Sequence, residues 1–149
     1  MAKLGYFKYK NGKYVPTEKF NRTAKSNPKK LLEDTFSTIE KRMDYDHIKC
    51  MASEIGLGNF FKSGIECYEP GKGICGDYAE IVEAGWKILQ KYSPELRKIE
   101  VFTVGDFNME HAWNGIKYGQ NVTYVDITWH DSGGDLCAID SKHYFTRKN

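Results

Sequence analysis

The chain has 149 residues, of which 40% are hydrophobic, 14% aromatic and 28% charged. That is enough for one buried core and excludes a disordered or low-complexity polypeptide. The formal net charge of +2 conceals an asymmetry, because residues 1–30 hold nine Lys/Arg against the single acid Glu18 (+8), while the remainder carries −6. A basic arm on an acidic body suggests an anionic partner, and a solvated arm folding back on its own domain is the alternative. No nucleic-acid-reading motif accompanies the charge. No apolar run approaches the ~20 residues that cross a bilayer, so no membrane insertion is expected. The opening Met1-Ala2-Lys3-Leu4-Gly5-Tyr6 lacks the apolar core of a secretory signal. The expected location is therefore cytoplasmic, with a virion or host-delivered protein as the other settings.

The arm, residues 1–26, reads as a tyrosine-rich hairpin followed by a linker. Asn11-Gly12 lies between Tyr6-Phe7-Lys8-Tyr9-Lys10 and Lys13-Tyr14-Val15, and both turn residues tolerate positive φ. The spacing predicts a hairpin over 4–15 with Tyr/Phe on one face and Lys on the other, and a polar linker over 16–26. Asn27-Pro28 is an N-cap followed by proline at the first helical position. Leu32, Phe36, Ile39 and Met43 then recur at helical spacing, which predicts a helix over 28–43. A shorter helix is expected over Asp46–Ile55, ended by Gly56. Residues 56–74 carry five glycines and Pro70 and read as loop.

Gly73-Ile74-Cys75-Gly76-Asp77-Tyr78-Ala79 is the stretch that carries chemistry. A helix is expected from Cys75 to about Tyr92, where Ser93-Pro94 stops it. Apolar residues cover most of its circumference, which predicts a helix buried at the domain centre. A thiol at a helix N-terminus meets unpaired N–H groups and the positive end of the dipole, so it ionises more readily. The Cys75 backbone N–H there supplies half of an oxyanion hole, with Gly76 beside it as an oxyanion or site-wall candidate. The other cysteines, Cys50, Cys67 and Cys137, form no C-x-x-C pair with it or with each other. Neither a zinc ribbon nor a dithiol redox site is encoded, and no metal or cofactor is expected.

From residue 99 the hydrophobic period changes to two, predicting strands over Ile99–Val104, His111–Tyr118 and Val122–Trp129. Tyr144-Phe145 reads as a short edge strand. Helices first and strands later describe an α+β domain with an antiparallel sheet packed on the Cys helix. A two-residue turn at Gln120-Asn121 would pair residues whose numbers sum to 241, and one at Gly119-Gln120 residues whose numbers sum to 239. Either puts His111 and Asp126 on one face, and the 239 register makes them diagonal neighbours, ~7–8 Å apart at the backbone. An odd-length loop would separate them, since a one-residue slip inverts the side-chain pattern. Cys75 as nucleophile, His111 as base and Asp126 as orienting carboxylate suit acyl transfer. His47, His130 and His143 have no carboxylate placed by this geometry. Asp77 reads as a first-turn helix acid whose charge would oppose a thiolate beside it, while Asp131 and Asp140 read as loop acids. Trp113 and Trp129 are core or site-wall candidates.

The three blocks Gly73–Ala79, His111-Ala112-Trp113-Asn114 and Val125-Asp126-Ile127-Thr128-Trp129 together resemble the transglutaminase-like superfamily of cysteine enzymes, within the papain-like fold. Asp131-Ser132 and Tyr144-Phe145 resemble its small bacterial branch. The resemblance spans about residues 30–146. It implies that 27–149 is a catalytic domain, with a central helix carrying Cys75 at its N-terminus and a sheet carrying His111 and Asp126. An upstream aromatic helps the oxyanion site in this family, and Tyr45 is the candidate here. His130 stands where the bacterial sequences tend to have an acid, and the basic arm is not part of the pattern. The chain lacks room for the calcium sites of the animal enzymes, so activity is expected to be calcium-independent. The implied function is a protease or amidase, ahead of a transamidase or other acyltransferase, acting on a protein or peptide. The alternative is an inert binding or assembly module that uses the basic hairpin.

Overall fold

The computed structural model describes residues 1–57, 61–106 and 111–127. Its arm forms the expected hairpin, with β1 (Phe7–Lys10) paired antiparallel to β2 (Lys13–Pro16). Asn11 and Gly12 take φ values of 53° and 83°, the left-handed pair a two-residue hairpin turn requires. The register sets Lys8 opposite Val15 and Tyr9 opposite Tyr14. Lysines and aromatics therefore occupy opposite faces.

Residues 16–26 are not a linker: Glu18–Ser26 form helix α1. Thr17 caps it, its Oγ1 accepting from the Phe20 N–H at 3.3 Å. The segment is polar in composition, yet Phe20 and Ala24 are four apart on one face and both are buried. Two apolar side chains on one helical face thus outweigh a polar average. Tyr6 and Phe20 join Leu31 and Phe36 of α2 (Pro28–Arg42) and Trp86 of α4 (Cys75–Tyr92) in one buried cluster.

The Tyr6 hydroxyl donates to Asp34 Oδ2 at 2.6 Å. Burial, then the Asp34 bond, push the Tyr6 phenol up to about 12. Burial would raise the Asp34 carboxyl, but hydrogen bonds from Tyr6 and Lys30 hold it below its ordinary value. The phenol's contribution is complete below pH ~10 and lost as pH rises through the folded value, and the carboxylate's is lost below pH ~4. Tyr6→Phe should cost about 1.5–3 kcal/mol near neutrality. It should also remove the part of the alkaline stability loss that the phenol causes, read as urea midpoints at pH 8 and 11.

Helix α2 begins at Pro28 with Asn27 as its cap, as the sequence predicts. Helix α3 covers His47–Glu54, with Asp46 as N-cap and Ile55 as C-cap. The 56–74 stretch is more structured than a loop. It holds a 3₁₀ turn at Gly64–Cys67 and the strand β4 (Lys72–Gly73), which pairs parallel with β3 (Asp44–Tyr45). Asp44 N–H donates to the Gly71 carbonyl and Asp46 N–H to the Gly73 carbonyl, both at 2.8 Å. Two-residue strands have no period to read, which is why the sequence does not reveal them.

Helix α4 has the predicted bounds, but it is not buried all round. Tyr78, Val82 and Trp86 are buried, whereas Ile88 is 52% and Tyr92 43% exposed. Its inner face packs on the antiparallel sheet β5 (Ile99–Asp106), β6 (His111–Tyr118), β7 (Asn121–Val125), in that order. The architecture is α+β. β7 starts one residue earlier than predicted and ends at Val125, so Asp126 follows the strand. Tyr118 pairs with Asn121 and Asn114 with Val125, the register of a Gly119-Gln120 turn. Gly115 sits opposite Phe102, and a Cβ there would come within 2.3 Å of the Phe102 ring, so the ring lies across the glycine. Among the described residues no helix is long and apolar enough to cross a membrane. The expected 144–145 strand lies outside the described residues.

Candidate active site

The even turn at 119–120 brings two of the three predicted side chains together. His111 Nε2 is hydrogen-bonded to Asp126 Oδ2. The Asp126 side chain is 1% exposed and that of His111 19%, so water competes little for the contact. Cys75 also acts on the ring, its side chain and charge both raising the His111 pKa. Burial would lower the His111 pKa, but the bonds to Asp126 and Cys75, and their negative charges, override it and push it up to about 10. The ring therefore keeps its proton across the neutral range.

Cys75 is half-buried at the first position of α4. Gly73, two residues before it, has no room for a side chain, because a Cβ would lie 2.8 Å from Asp77 Cβ and 3.2 Å from Met43 Cε. A Cβ on Gly76 would meet nothing within 4 Å, so space is open beside the thiol. The parallel β3–β4 bridge sets Tyr45 against Gly73, placing the aromatic candidate beside the turn that leads into Cys75. The Tyr45 ring also meets the His47 ring edge-on at 4.9 Å, which gives that histidine a packing role. Trp113 is 1% exposed, packs with Val104 and Tyr124, and stacks on the His111 ring at 5.7 Å. It is a wall behind the imidazole. Trp129, His130, His143, Asp131, Asp140 and Cys137 lie outside the described residues.

Two positioning groups went unread in the sequence. Asn114, 1% exposed, donates its Nδ2 to the Ala79 carbonyl of α4 at 2.9 Å and the Phe102 carbonyl at 3.3 Å. It ties the His strand to the Cys helix. Asn114→Ala should cost about 1–2 kcal/mol, visible in the thermal midpoint. Lys49 of α3 forms a buried ion pair with Asp77, Nζ to Oδ2 at 2.6 Å with each side chain 7% exposed. Nothing in the hydrophobic pattern around Lys49 marks it, whereas an acid at the third position of an otherwise apolar helix start is a usable signal for Asp77.

Cys50, Cys67 and Cys75 carry free thiols. Cys67 is 2% exposed and donates to the Lys62 carbonyl at 3.3 Å. Burial, then the Asp77 charge, push its thiol up to about 11, so it is protonated and inert at neutral pH. Among the described residues, no group of three or more His, Cys, Asp or Glu is arranged to hold a metal ion. No protein-family model and no curated protein matches the chain.

Proposed function

We propose that the protein is a thiol enzyme of the transglutaminase-like, papain-like kind, cleaving amide or peptide bonds through an acyl-thioester. The observation that carries this reading is the His111 ring held between buried Asp126 and Cys75 with its proton retained. Cys75 thiolate attacks the carbonyl carbon, and the carbonyl oxygen takes up the charge near the first-turn N–H groups of α4, where the helix dipole favours it. His111 gives its proton to the leaving nitrogen, and the C–N bond breaks to leave a Cys75 thioester. His111, now neutral, takes a proton from water, hydroxide attacks the thioester, and the thiolate departs. Asp126 holds the imidazole in orientation throughout. An amine in place of water would give transamidation. Hydrolysis is favoured because the space beside Gly76 is open, which lets water reach the thioester.

The test uses p-nitrophenyl acetate as a simple acyl donor, with the acyl adduct trapped by acid quench and located by mass spectrometry. Acetyl should appear on Cys75 and not on Cys67, with turnover lost in Cys75→Ala. An adduct spread evenly over the cysteines, or turnover unchanged in Cys75→Ala, would sink the reading.

A second reading, an inert module binding an anionic partner through the arm, draws on the hairpin. Lys8, Lys10 and Lys13 share one strand face and are exposed. Phe7 on the opposite face packs on Phe20 and Tyr92 at 5.1 and 5.3 Å. The lysine face therefore points away from the body. Replacing all three with serine should abolish any salt-sensitive retention on heparin, and unchanged retention would discard this reading.

A further inference from the structure

Asp77 presents an electrostatic problem for a thiolate at Cys75. It is an acid on the same first helical turn, two residues on, and it is 5% exposed, where water screens it poorly. An unneutralised carboxylate there would compete with the thiolate for the positive end of α4. The structure answers it with Lys49. Its Nζ reaches Asp77 Oδ2 and the Lys62 carbonyl, each at 2.6 Å. Asp77 also accepts the Ile74 N–H at 2.9 Å and the Gly64 N–H at 2.7 Å. One carboxylate thus ties together the turn leading into Cys75, the 62–64 segment and, through Lys49, helix α3 behind Tyr45.

We propose that Lys49 is a positioning residue for the thiol site. It neutralises Asp77, so the Asp77 carboxylate can brace the Cys75 turn without opposing the thiolate. This rests on the thiol-enzyme reading above. Several other titratable groups stand around the first turn of α4. His111 and Asp126 lie on the sheet side, Asp46 and His47 at the start of α3, Tyr45 and Lys72 on the β3–β4 bridge, and Glu66 and Cys67 on the 3₁₀ turn. Asp77, Lys49 and Asp46 all act on the Cys67 thiol, so these charges share one neighbourhood. Lys49 is the cation that contacts Asp77.

The experiment is the pH profile of Cys75 alkylation by iodoacetamide, resolved by peptide mass spectrometry, in the parent, Lys49→Met, Asp77→Asn and the double variant. Lys49→Met should move the profile toward higher pH by about one unit, which is about tenfold in thiolate fraction on its acid side. Asp77→Asn should not move it that way, and the double variant should return close to the parent. A purely structural pair would shift no profile, or would shift both single variants in the same direction, and either result overturns the proposal. If Lys49→Met does not fold, Asp77→Asn and the double variant still differ only in the cation. On the acid limb of the profile, near about pH 4.5, alkylation should be faster in Asp77→Asn, and equal rates there overturn the proposal. A parent profile typical of a free thiol and insensitive to His111→Ala would instead defeat the thiol-enzyme reading. An activated parent with an unmoved Lys49→Met profile defeats only the role of Lys49.

Discussion

His111→Ala should change the pH profile of Cys75 alkylation from nearly flat between about pH 5.5 and 8 to one that climbs tenfold per pH unit toward ~8.5. The contrast follows from the pair. While His111 keeps its proton, raised to about 10 by Asp126 and Cys75, a thiolate beside it is stabilised across the neutral range. Without the ring, the helix N-terminus acts alone, and Asp126 becomes a buried carboxylate, 1% exposed, that has lost its His111 partner. The profile is a better readout than a single rate, because a more readily ionised thiolate is also intrinsically less nucleophilic. Acyl transfer should suffer more than alkylation, because p-nitrophenolate leaves without a proton but hydrolysis of the acetyl-thioester loses the base that takes the proton from water. A fall of about 10²–10⁴ in p-nitrophenyl acetate turnover is expected. Asp126→Asn keeps the shape but removes the charge that helps the ring hold its proton, so the thiolate should be less populated below about pH 8 and its alkylation there should be slower than in the parent and rise with pH. A profile for His111→Ala that overlays the parent would mean the contact has no chemical consequence.

The limits of α2 and α4 were legible in the sequence because they rest on local chemistry, whereas the even hairpin loop follows from the need to bring His111 and Asp126 together and not from turn propensity. Asn27-Pro28 and Ser93-Pro94 punctuate helices through the missing N–H and fixed φ of proline. The side-chain period of two allows His111 and Asp126 to be tested for a shared face before any coordinates exist. What escaped detection depends on pairs distant in the chain. Lys49 and Asp77 are 28 residues apart, and a lysine at the start of an amphipathic helix ordinarily points to solvent. The β3–β4 bridge is two residues long on each side, and its hydrogen bonds are to backbone atoms that any sequence carries. Helix α1 was hidden by its own lysines, since composition averages over the whole circumference while burial acts on the Phe20–Ala24 face. The same averaging made α4 look buried on every side, although Ile88 and Tyr92 lie on its outer face.

Trp86→Ala should destabilise the protein by about 3–5 kcal/mol, the largest single loss expected in the core. Trp86 is fully buried in the cluster that joins α4 to α2, the arm and the sheet, and its Nε1–H donates to the Ile99 carbonyl at 2.8 Å. Most of the loss comes from the indole's volume, which the surrounding helices cannot collapse to fill. Trp86→Phe separates the two contributions. It keeps most of the packing and removes only the donor, and Gln90 Nε2 still reaches the same carbonyl at 2.9 Å. Ile99 is therefore not left unsatisfied, and the cost should stay near 1 kcal/mol. Urea denaturation of the two variants against the parent reads both values, and a Trp86→Phe loss approaching that of Trp86→Ala would show that the hydrogen bond dominates. The consequence for the site is directional. α4 carries Cys75 at one end and β6 carries His111, so loosening the helix against the sheet spoils the thiol–imidazole contact before the chain unfolds. Trp86→Ala should accordingly lose Cys75 acylation at a lower urea concentration than it loses far-UV ellipticity, whereas in the parent the two should fall together.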